Sequence, residues 1–307
     1  MAPRKSSKSA YAFPNPIDND ELVGHTDVLN HFMDAWNARD VHPMHPVWML
    51  TGLRGIGKAT LAYQIAKTVY GNVGDFFIID MAHNIDDHGK AKTDGKNISI
   101  HTVRGVIERM QLSSMSGRWR VIIIDSVDEL STAASNALLK LLEEPPAQTL
   151  FLLIVHQLTS VLPTVRSRAR VEKMRPLTIP QLRELCARFI PDDEISNETL
   201  KLANGSFGRV ANLKTLGGDE IYDELIATLE NPHANASSLL AIAHKIAPDN
   251  ALYGILLDAI AHFGLAELYP TATRQIANIT RINLEPETAI FSIINDIKKC
   301  LQTHIAI

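Results

Sequence analysis

A glycine-rich run over residues 52–60, Gly-Leu-Arg-Gly-Ile-Gly-Lys-Ala-Thr, has the composition and spacing of a loop that binds phosphate. Glycines let backbone N–H groups surround phosphate oxygens, and a lysine after the last glycine reaches the terminal phosphates. A helix that begins at this lysine adds the partial positive charge of its N-terminus. The alternative is that the glycines only make a tight strand-to-helix turn. We predict a nucleotide site formed by Gly52, Gly55, Gly57, Lys58, Ala59 and Thr60.

A carboxylate at the end of a buried strand belongs to the same predicted site. Residues 121–125 read Val-Ile-Ile-Ile-Asp, so Asp125 lies where P-loop proteins hold a magnesium ion. Ala59, however, stands where a Ser or Thr hydroxyl normally binds that ion, and a methyl group cannot ligate a cation. Thr60 is one residue later and points about 100° away around the helix. We therefore expect nucleotide binding to survive better than nucleotide hydrolysis.

Four short apolar runs, separated by stretches with helical periodicity, are the elements that must position this site. Such alternation predicts a parallel α/β sheet, and continuous apolar runs are typical of strands covered on both faces. Strand signals end near Val171, and the rest of the chain is predicted to be helical. The predicted strands are Val47–Leu50, Phe76–Ile79, Val121–Ile124 and Leu150–Val155. The predicted helices between them include Leu61–Val69, Val103–Met110 and Ala134–Leu142.

The composition is that of a globular protein with two or three domains. The chain has 307 residues, of which 46% are hydrophobic and 21% charged, which excludes the disordered and fibrous classes. Its formal charge of −4 excludes a protein that coats nucleic acid through bulk positive charge. Residues 217–307 hold eleven acidic and five basic side chains, which disfavours DNA binding by this part of the chain.

Cysteine usage and the N-terminal segment indicate a cytoplasmic protein. Cys186 and Cys300 lie too far apart in sequence for a disulfide framework or a four-cysteine zinc site, which favours a reducing compartment. Residues 1–13 carry basic side chains with no apolar stretch after them, so we interpret them as a disordered basic tail rather than a secretory signal. The longest apolar runs fall far short of the roughly 20 residues that cross a bilayer, and no membrane contact is predicted.

Two further strings make a family resemblance specific. Residues 136–146 read Asn-Ala-Leu-Leu-Lys-Leu-Leu-Glu-Glu-Pro-Pro, and residues 162–168 read Leu-Pro-Thr-Val-Arg-Ser-Arg. Together with the glycine-rich run, they resemble the clamp-loader branch of the AAA+ family, and within it the delta-prime group of bacterial DNA polymerase III. The resemblance extends from about Leu22 to Gly208.

The resemblance implies three folded domains after the tail. The first is an α/β domain, the AAA+ P-loop parallel sheet, over residues 14–171. A small helical lid over residues 172–216 follows it. The last is an all-helical collar over residues 217–307, which in this family joins the subunits of a ring.

The resemblance also implies a role for one arginine. In this family the Ser-Arg-Cys motif supplies an arginine finger that enters the ATP site of a neighbouring subunit, and here Ser167-Arg168-Ala169 takes its place. The permanent charge of a guanidinium neutralises charge on the transferring phosphoryl group, so Arg168 is the expected catalytic residue, acting in trans. The alternative is that Arg166, Arg168 and Arg170 form the solvated edge of a strand.

The chain departs from the family at positions that serve hydrolysis. Ser126 stands where active members carry the Glu that polarises the attacking water, and Val155 falls at the position called sensor 1. Gly208 falls at the position of the sensor 2 arginine, with Arg209 one residue out. A nearby acid such as Asp128 would have to substitute for the missing base. These departures predict weak or absent hydrolysis.

A metal site common in the family is also missing from the sequence. Many members hold zinc with four cysteines between the first helix and the next strand, and this chain has no cysteine there. The segment 81–96 contains His83, Asp86, Asp87 and His88, but no pair of them has the spacing on a helix that favours zinc. We predict no zinc and no other metal ligands in this segment.

The resemblance predicts a stator subunit of a clamp loader in DNA replication, part of a DNA-directed DNA polymerase holoenzyme. Its own ATPase activity is expected to be absent or weak, and ATP or ADP to bind weakly or passively. The implied partners are the delta and tau/gamma subunits and, through the complex, primed DNA and the sliding clamp. The alternative is an active AAA+ motor of the tau/gamma or helicase-loader type that uses Lys58, Asp125 and Asp128.

Overall fold

The computed structural model describes residues 15–19, 21–70, 76–92, 97–112, 119–191, 195–281 and 284–305. It divides into two compact units, one of residues Phe13–Leu185 and one that contains Cys186–Ile307. The predicted tail over residues 1–13 lies outside the described part. The division into a P-loop domain, a lid and a collar at residues 171 and 216 stays a prediction.

The first unit is built on a five-stranded sheet in which all neighbouring strands are parallel. The strands are β1 (Val47–Thr51), β2 (Phe76–Asp80), β3 (Arg120–Asp125), β4 (Thr149–Val155) and β5 (Arg170–Lys173). Their order across the sheet is β2-β3-β4-β1-β5. The helices of this unit are α1 (Thr26–Asn37), α2 (Lys58–Tyr70), α3 (Ile100–Leu112), α4 (Thr132–Glu143), α5 (Pro163–Arg166) and the start of α6 (Ile179–Phe189). The predicted parallel α/β sheet is confirmed.

Helices cover both faces of the sheet, which is why the central strands are continuous apolar runs. Along β3, Ile122 packs into a core with α3 and α4, whereas Ile123 packs into a second core with α1 and α2. Both side chains are buried. Alternate residues of a strand point to opposite faces, so a strand between two helical layers needs apolar side chains at every position.

The fifth strand was not predicted. Arg170–Lys173 is four residues long, lies at the edge of the sheet and, among the strands of the described ranges, pairs only with β1. Its side chains are exposed or half-buried, so charged residues are tolerated at three of its four positions. An edge strand of this kind lacks the apolar run that marks the buried strands.

The carboxyl ends of the parallel strands meet at one edge, and this edge holds the predicted site. Thr51 at the end of β1 pairs with Val155 at the end of β4, and Asp125 at the end of β3 pairs with Ile154. The loops that follow these strands therefore lie next to one another. Ligands in open α/β sheets bind at this edge.

In the described part of the second unit, all regular secondary structure is helical. Its helices after α6 are α7 (Asn197–Leu202), α8 (Phe207–Leu216), α9 (Gly218–Glu230), α10 (Ala236–Ile246), α11 (Gly254–His262), α12 (Tyr269–Arg281) and α13 (Pro286–Ile305). They enclose a core in which Leu225, Leu256 and Ile290 are fully buried. Of the helices in the described ranges, none combines the length and apolar character needed to span a membrane.

Candidate functional site

The glycine-rich loop joins β1 to α2 with backbone angles that its glycines alone readily adopt. Gly52, Gly55 and Gly57 have φ values of 152°, 80° and 101°. At Gly52 space is also limiting, because a Cβ would lie 2.7 Å from the carbonyl oxygen of Met174. That carbonyl is held in place, since the N–H of Met174 donates to the carbonyl of Thr51 at 2.8 Å. The fold therefore requires glycine at position 52 whether or not phosphate binds.

Lys58 is the first residue of α2, and its ammonium group folds back over the loop. Nζ donates to the carbonyl oxygens of Gly52 at 2.8 Å and Leu53 at 2.6 Å. Burial lowers the pKa of Lys58 to about 8, against the opposing attraction of Asp125 and Asp128. In this conformation Lys58 braces the loop, and a bound phosphate would have to replace its two carbonyl partners.

At the predicted magnesium position the carboxylate is that of Asp125, which pairs with Asp80 at the end of β2, and position 59 supplies no hydroxyl. Burial raises the pKa of Asp125, although the Oγ of Ser126 donates to its carboxylate at 3.1 Å and partly opposes that shift. Ala59 packs against the core on the α1 and α2 side of the sheet, and Thr60 is the third residue of α2. Asp125 is therefore expected to be a weaker cation ligand than an exposed carboxylate.

Asp128, the acid that would have to substitute for the missing catalytic base, already accepts hydrogen bonds from the backbone. One oxygen of Asp128 accepts from the backbone N–H of His156 and the other from that of Gln157, each at 3.0 Å. These bonds tie the turn after β3 to the end of β4. The next acid, Glu129, accepts from the guanidinium of Arg54 in the glycine-rich loop. Both carboxylates thus hold the loops of the site together.

Sequence reasoning missed His156, which follows Val155 at the end of β4. Val155 is fully buried in the core, so it cannot face a ligand. The Nδ1 atom of His156 is buried and has no hydrogen-bond partner within the described residues. Burial, together with the positive charges of Lys58 and Arg54, lowers the pKa of His156 to about 4, against the opposing effect of Asp128. The available signal was a polar residue directly after a buried strand at the carboxyl edge of the sheet.

The neutral His156 makes stability depend on pH. The unfolded chain, with a histidine pKa near 6.5, takes up a proton before the folded chain does as the pH falls. The free energy of unfolding therefore decreases between pH 6.5 and about 4. Between pH 7 and pH 5 we expect the free energy of unfolding of the wild type to fall by up to ~2 kcal/mol more than that of His156→Asn. Urea denaturation of both proteins at the two pH values measures it. The exposed His88→Asn is the control, and equal losses for wild type and His156→Asn would contradict the assignment.

Arg168 lies in the turn between α5 and β5, and its side chain is 32% exposed. Nη1 donates to the carbonyl of Thr164 at 2.7 Å, and Nη2 donates to a carboxylate oxygen of Glu143 at 2.5 Å. The strand-edge alternative is wrong for this residue, because Arg166 ends α5 and only Arg170 lies in a strand. The guanidinium of Arg168 is therefore held near the surface of the first unit.

Arg209 and the segment after β2 also serve local structure. Arg209 in α8 is paired with Asp258 of α11, where burial raises the pKa of the carboxyl to about 6 while Arg209 opposes the shift. In the segment after β2, the buried Asn84 accepts from the backbone N–H of Ser99 and the hydroxyl of Thr102, both at 2.9 Å. Within the described ranges, no three His, Cys, Asp or Glu side chains gather as metal ligands would.

Comparison with known proteins identifies one sequence family that this chain matches. Residues 25–178 match the sequence family described as "DNA polymerase III, delta subunit". DNA polymerase III subunit gamma of Buchnera aphidicola is 27% identical over 204 residues, which cover 58% of this chain and 53% of that protein. Subunit tau/gamma of Haemophilus influenzae is 26% identical over 274 residues, or 84% of this chain and 37% of that protein. The chain thus spans about half or less of the length of these curated relatives.

One solved structure supports the fold. A DNA polymerase III gamma subunit-related protein from Thermotoga maritima aligns with a TM-score of 0.51 over 88% of this chain and 98% of that chain. The sequence identity is 16%, so the likeness concerns the fold alone. It agrees with a parallel sheet domain followed by helices, and the predicted fold class is confirmed.

Proposed function

The chain belongs to the DNA polymerase III delta subunit family, a clamp-loader family of DNA replication, and from this premise we propose that it is a delta-prime-like stator. In this role it hydrolyses little or no ATP itself. It presents Arg168 to the ATP held by a neighbouring tau/gamma subunit. Its action helps to load the sliding clamp onto primed DNA.

One contrast in the first unit carries the proposal. The site at the carboxyl edge keeps its loop, Lys58 and Asp125, but Ala59 and Ser126 replace the hydroxyl and the base that hydrolysis needs. At the same time Arg168 is ordered near the surface by Thr164 and Glu143. A protein that lacks its own hydrolytic groups and keeps a surface guanidinium is suited to complete a site on another subunit.

The nucleotide site of this chain is proposed to bind ATP or ADP weakly or passively. Two observations support this. Lys58 already has carbonyl partners in the loop, so binding must exchange one set of hydrogen bonds for another. Gly52 is required by the backbone of Met174, so the loop is retained for a structural reason as well.

The proposed partners are the delta and tau/gamma subunits, and the place of action is the cytoplasm. The acidic helical region over residues 217–307 is proposed as the collar that joins the subunits, and its apolar side chains share one core with Leu213 of α8. Contact with primed DNA and with the clamp is proposed to occur through the complex. The alternative, an active motor, is disfavoured because both oxygens of Asp128 accept backbone N–H groups.

Reconstitution tests the proposal. Tau/gamma and delta subunits from the same source are assayed for DNA-stimulated ATP hydrolysis with and without the full chain. We expect the rate to rise when the chain is added, because it supplies the guanidinium that one ATP site lacks. Assembly of the complex without any rise in rate would contradict the stator role.

A further inference from the structure

The two strings that carry the family resemblance meet in the folded chain. Glu143 is the last residue of α4 and belongs to the string over residues 136–146, whereas Arg168 belongs to the string over residues 162–168. The carboxylate of Glu143 accepts from Nη2 of Arg168 at 2.5 Å, and the two residues are 25 positions apart. Helix packing does not explain an acid at position 143, because its side chain is 46% exposed. The ion pair with Arg168 gives the carboxylate at this position a structural role.

The guanidinium of Arg168 is held from two sides. Nη1 donates to the carbonyl of Thr164 at 2.7 Å and lies 3.4 Å from the hydroxyl of Ser167, while Nη2 faces Glu143. An arginine has five N–H donors, so these partners do not use its whole capacity for hydrogen bonds. Arg168 and Glu143 border an open surface cleft, which His45 and Pro145 also line. The same guanidinium can donate a hydrogen bond to a phosphate oxygen that enters this cleft.

The backbone that carries Glu143 is fixed at both ends of α4. At the start, the hydroxyl of Ser131 accepts from the N–H of Ala134 at 3.2 Å. At the end, Leu142 is 4% exposed and anchors the last turn beside Glu143. The partial negative charge at the C-terminus of a helix adds to the attraction for a guanidinium. The backbone position of Glu143 is therefore fixed, so its carboxylate is presented from a rigid helix end.

We propose that Glu143 is the positioning residue of Arg168, holding the guanidinium in the orientation in which it meets the phosphate of a neighbouring subunit. The inference rests on the proposed stator function. A free arginine samples many rotamers, and a pre-ordered one loses less conformational entropy when it contacts the phosphate. Glu143 is half-exposed, so water screens its negative charge, and the guanidinium of Arg168 still attracts an anion.

The test measures steady-state ATP hydrolysis by the reconstituted complex with variants of the full chain. We expect Glu143→Ala to lower the rate at saturating ATP about three- to tenfold and to leave the KM for ATP unchanged. Glu143→Gln keeps an acceptor oxygen for Nη2, so it should restore most of the rate. Glu144→Ala removes the adjacent exposed carboxylate and is the matched control, with the wild-type rate expected.

A double-mutant cycle separates this inference from the function on which it rests. If Glu143 acts through Arg168, Glu143→Ala has no further effect in a chain that already carries Arg168→Ala. An additional loss in that background would overturn the positioning role, and so would a rate increase in Glu143→Ala, which would mark Glu143 as a competitor of the phosphate. If Arg168→Ala alone leaves the rate unchanged, the stator function itself fails.

Discussion

Replacement of Arg168 by alanine is expected to slow ATP hydrolysis at the neighbouring subunit's site by about 10³- to 10⁵-fold, the range for an arginine finger that is fully used. The guanidinium stabilises charge that develops on the transferring phosphoryl group, and alanine offers nothing in its place. Single-turnover hydrolysis by the reconstituted complex measures the effect. Because Arg168 is about one-third exposed and its ion pair with Glu143 lies at the surface, the folding of the lone chain should not change.

The controls for this prediction change Arg166, at the end of α5, or Arg168 itself. Arg166→Ala removes an exposed arginine two residues away and should leave hydrolysis unaffected. Arg168→Lys keeps the charge but loses the planar fork of donors, so only a small part of the rate should return. A complex with Arg168→Ala that assembles and hydrolyses ATP at the wild-type rate would show that Arg168 is not a finger.

Gly52→Ala is expected to be the most destabilising single change in the glycine-rich loop. The new methyl group would lie 2.7 Å from the carbonyl oxygen of Met174, at a φ of 152° that other residues rarely adopt. Strain and overlap together should cost about 3 to 5 kcal/mol. For a unit of this size, such a loss lowers the midpoint of thermal unfolding by about 10 °C.

Gly89→Ala is the matched control for that loss. Gly89 has a φ of 75°, and apart from its chain neighbours no described residue has an atom within 4 Å of the position that its Cβ would take. Its substitution therefore carries backbone strain without overlap and should cost only ~1 kcal/mol. Differential scanning calorimetry of the two variants compares them. If Gly52→Ala unfolds no earlier than Gly89→Ala, the loop is not held by Met174 as the structure indicates.

The sheet and most helices could be predicted because their signals are local. A strand covered on both faces must be apolar at every position, and β3 and β4 show this directly in the chain. The helix α4 has an apolar face at helical spacing, a serine cap at Ser131 and prolines after its end. The glycine-rich loop is equally visible, since its glycines and Lys58 are contiguous. Each of these patterns lies within a continuous segment of about 15 residues.

What could not be predicted depends on contacts between distant residues. By its place in the sequence Asp128 is a candidate base, but the partners of its carboxylate lie 28 and 29 positions away in the chain, and no periodicity reveals them. The pairing of Glu143 with Arg168 spans 25 positions. The burial of His156 follows from the register of β4 beside β1, which fixes which residue is last inside the core. These contacts, and the burial of His156, are determined only when the strands come together in the folded sheet.

The measurement that tests the central claim most directly is release of phosphate from ATP by the full chain alone, with primed DNA and magnesium present. Lys58→Ala serves as the background, because it removes the cation of the loop. The stator account predicts that the wild-type chain releases no more phosphate than this variant, since Ala59 and Ser126 supply neither ligand nor base. Turnover by the wild-type chain that Lys58→Ala abolishes would contradict the account and identify the chain as a motor.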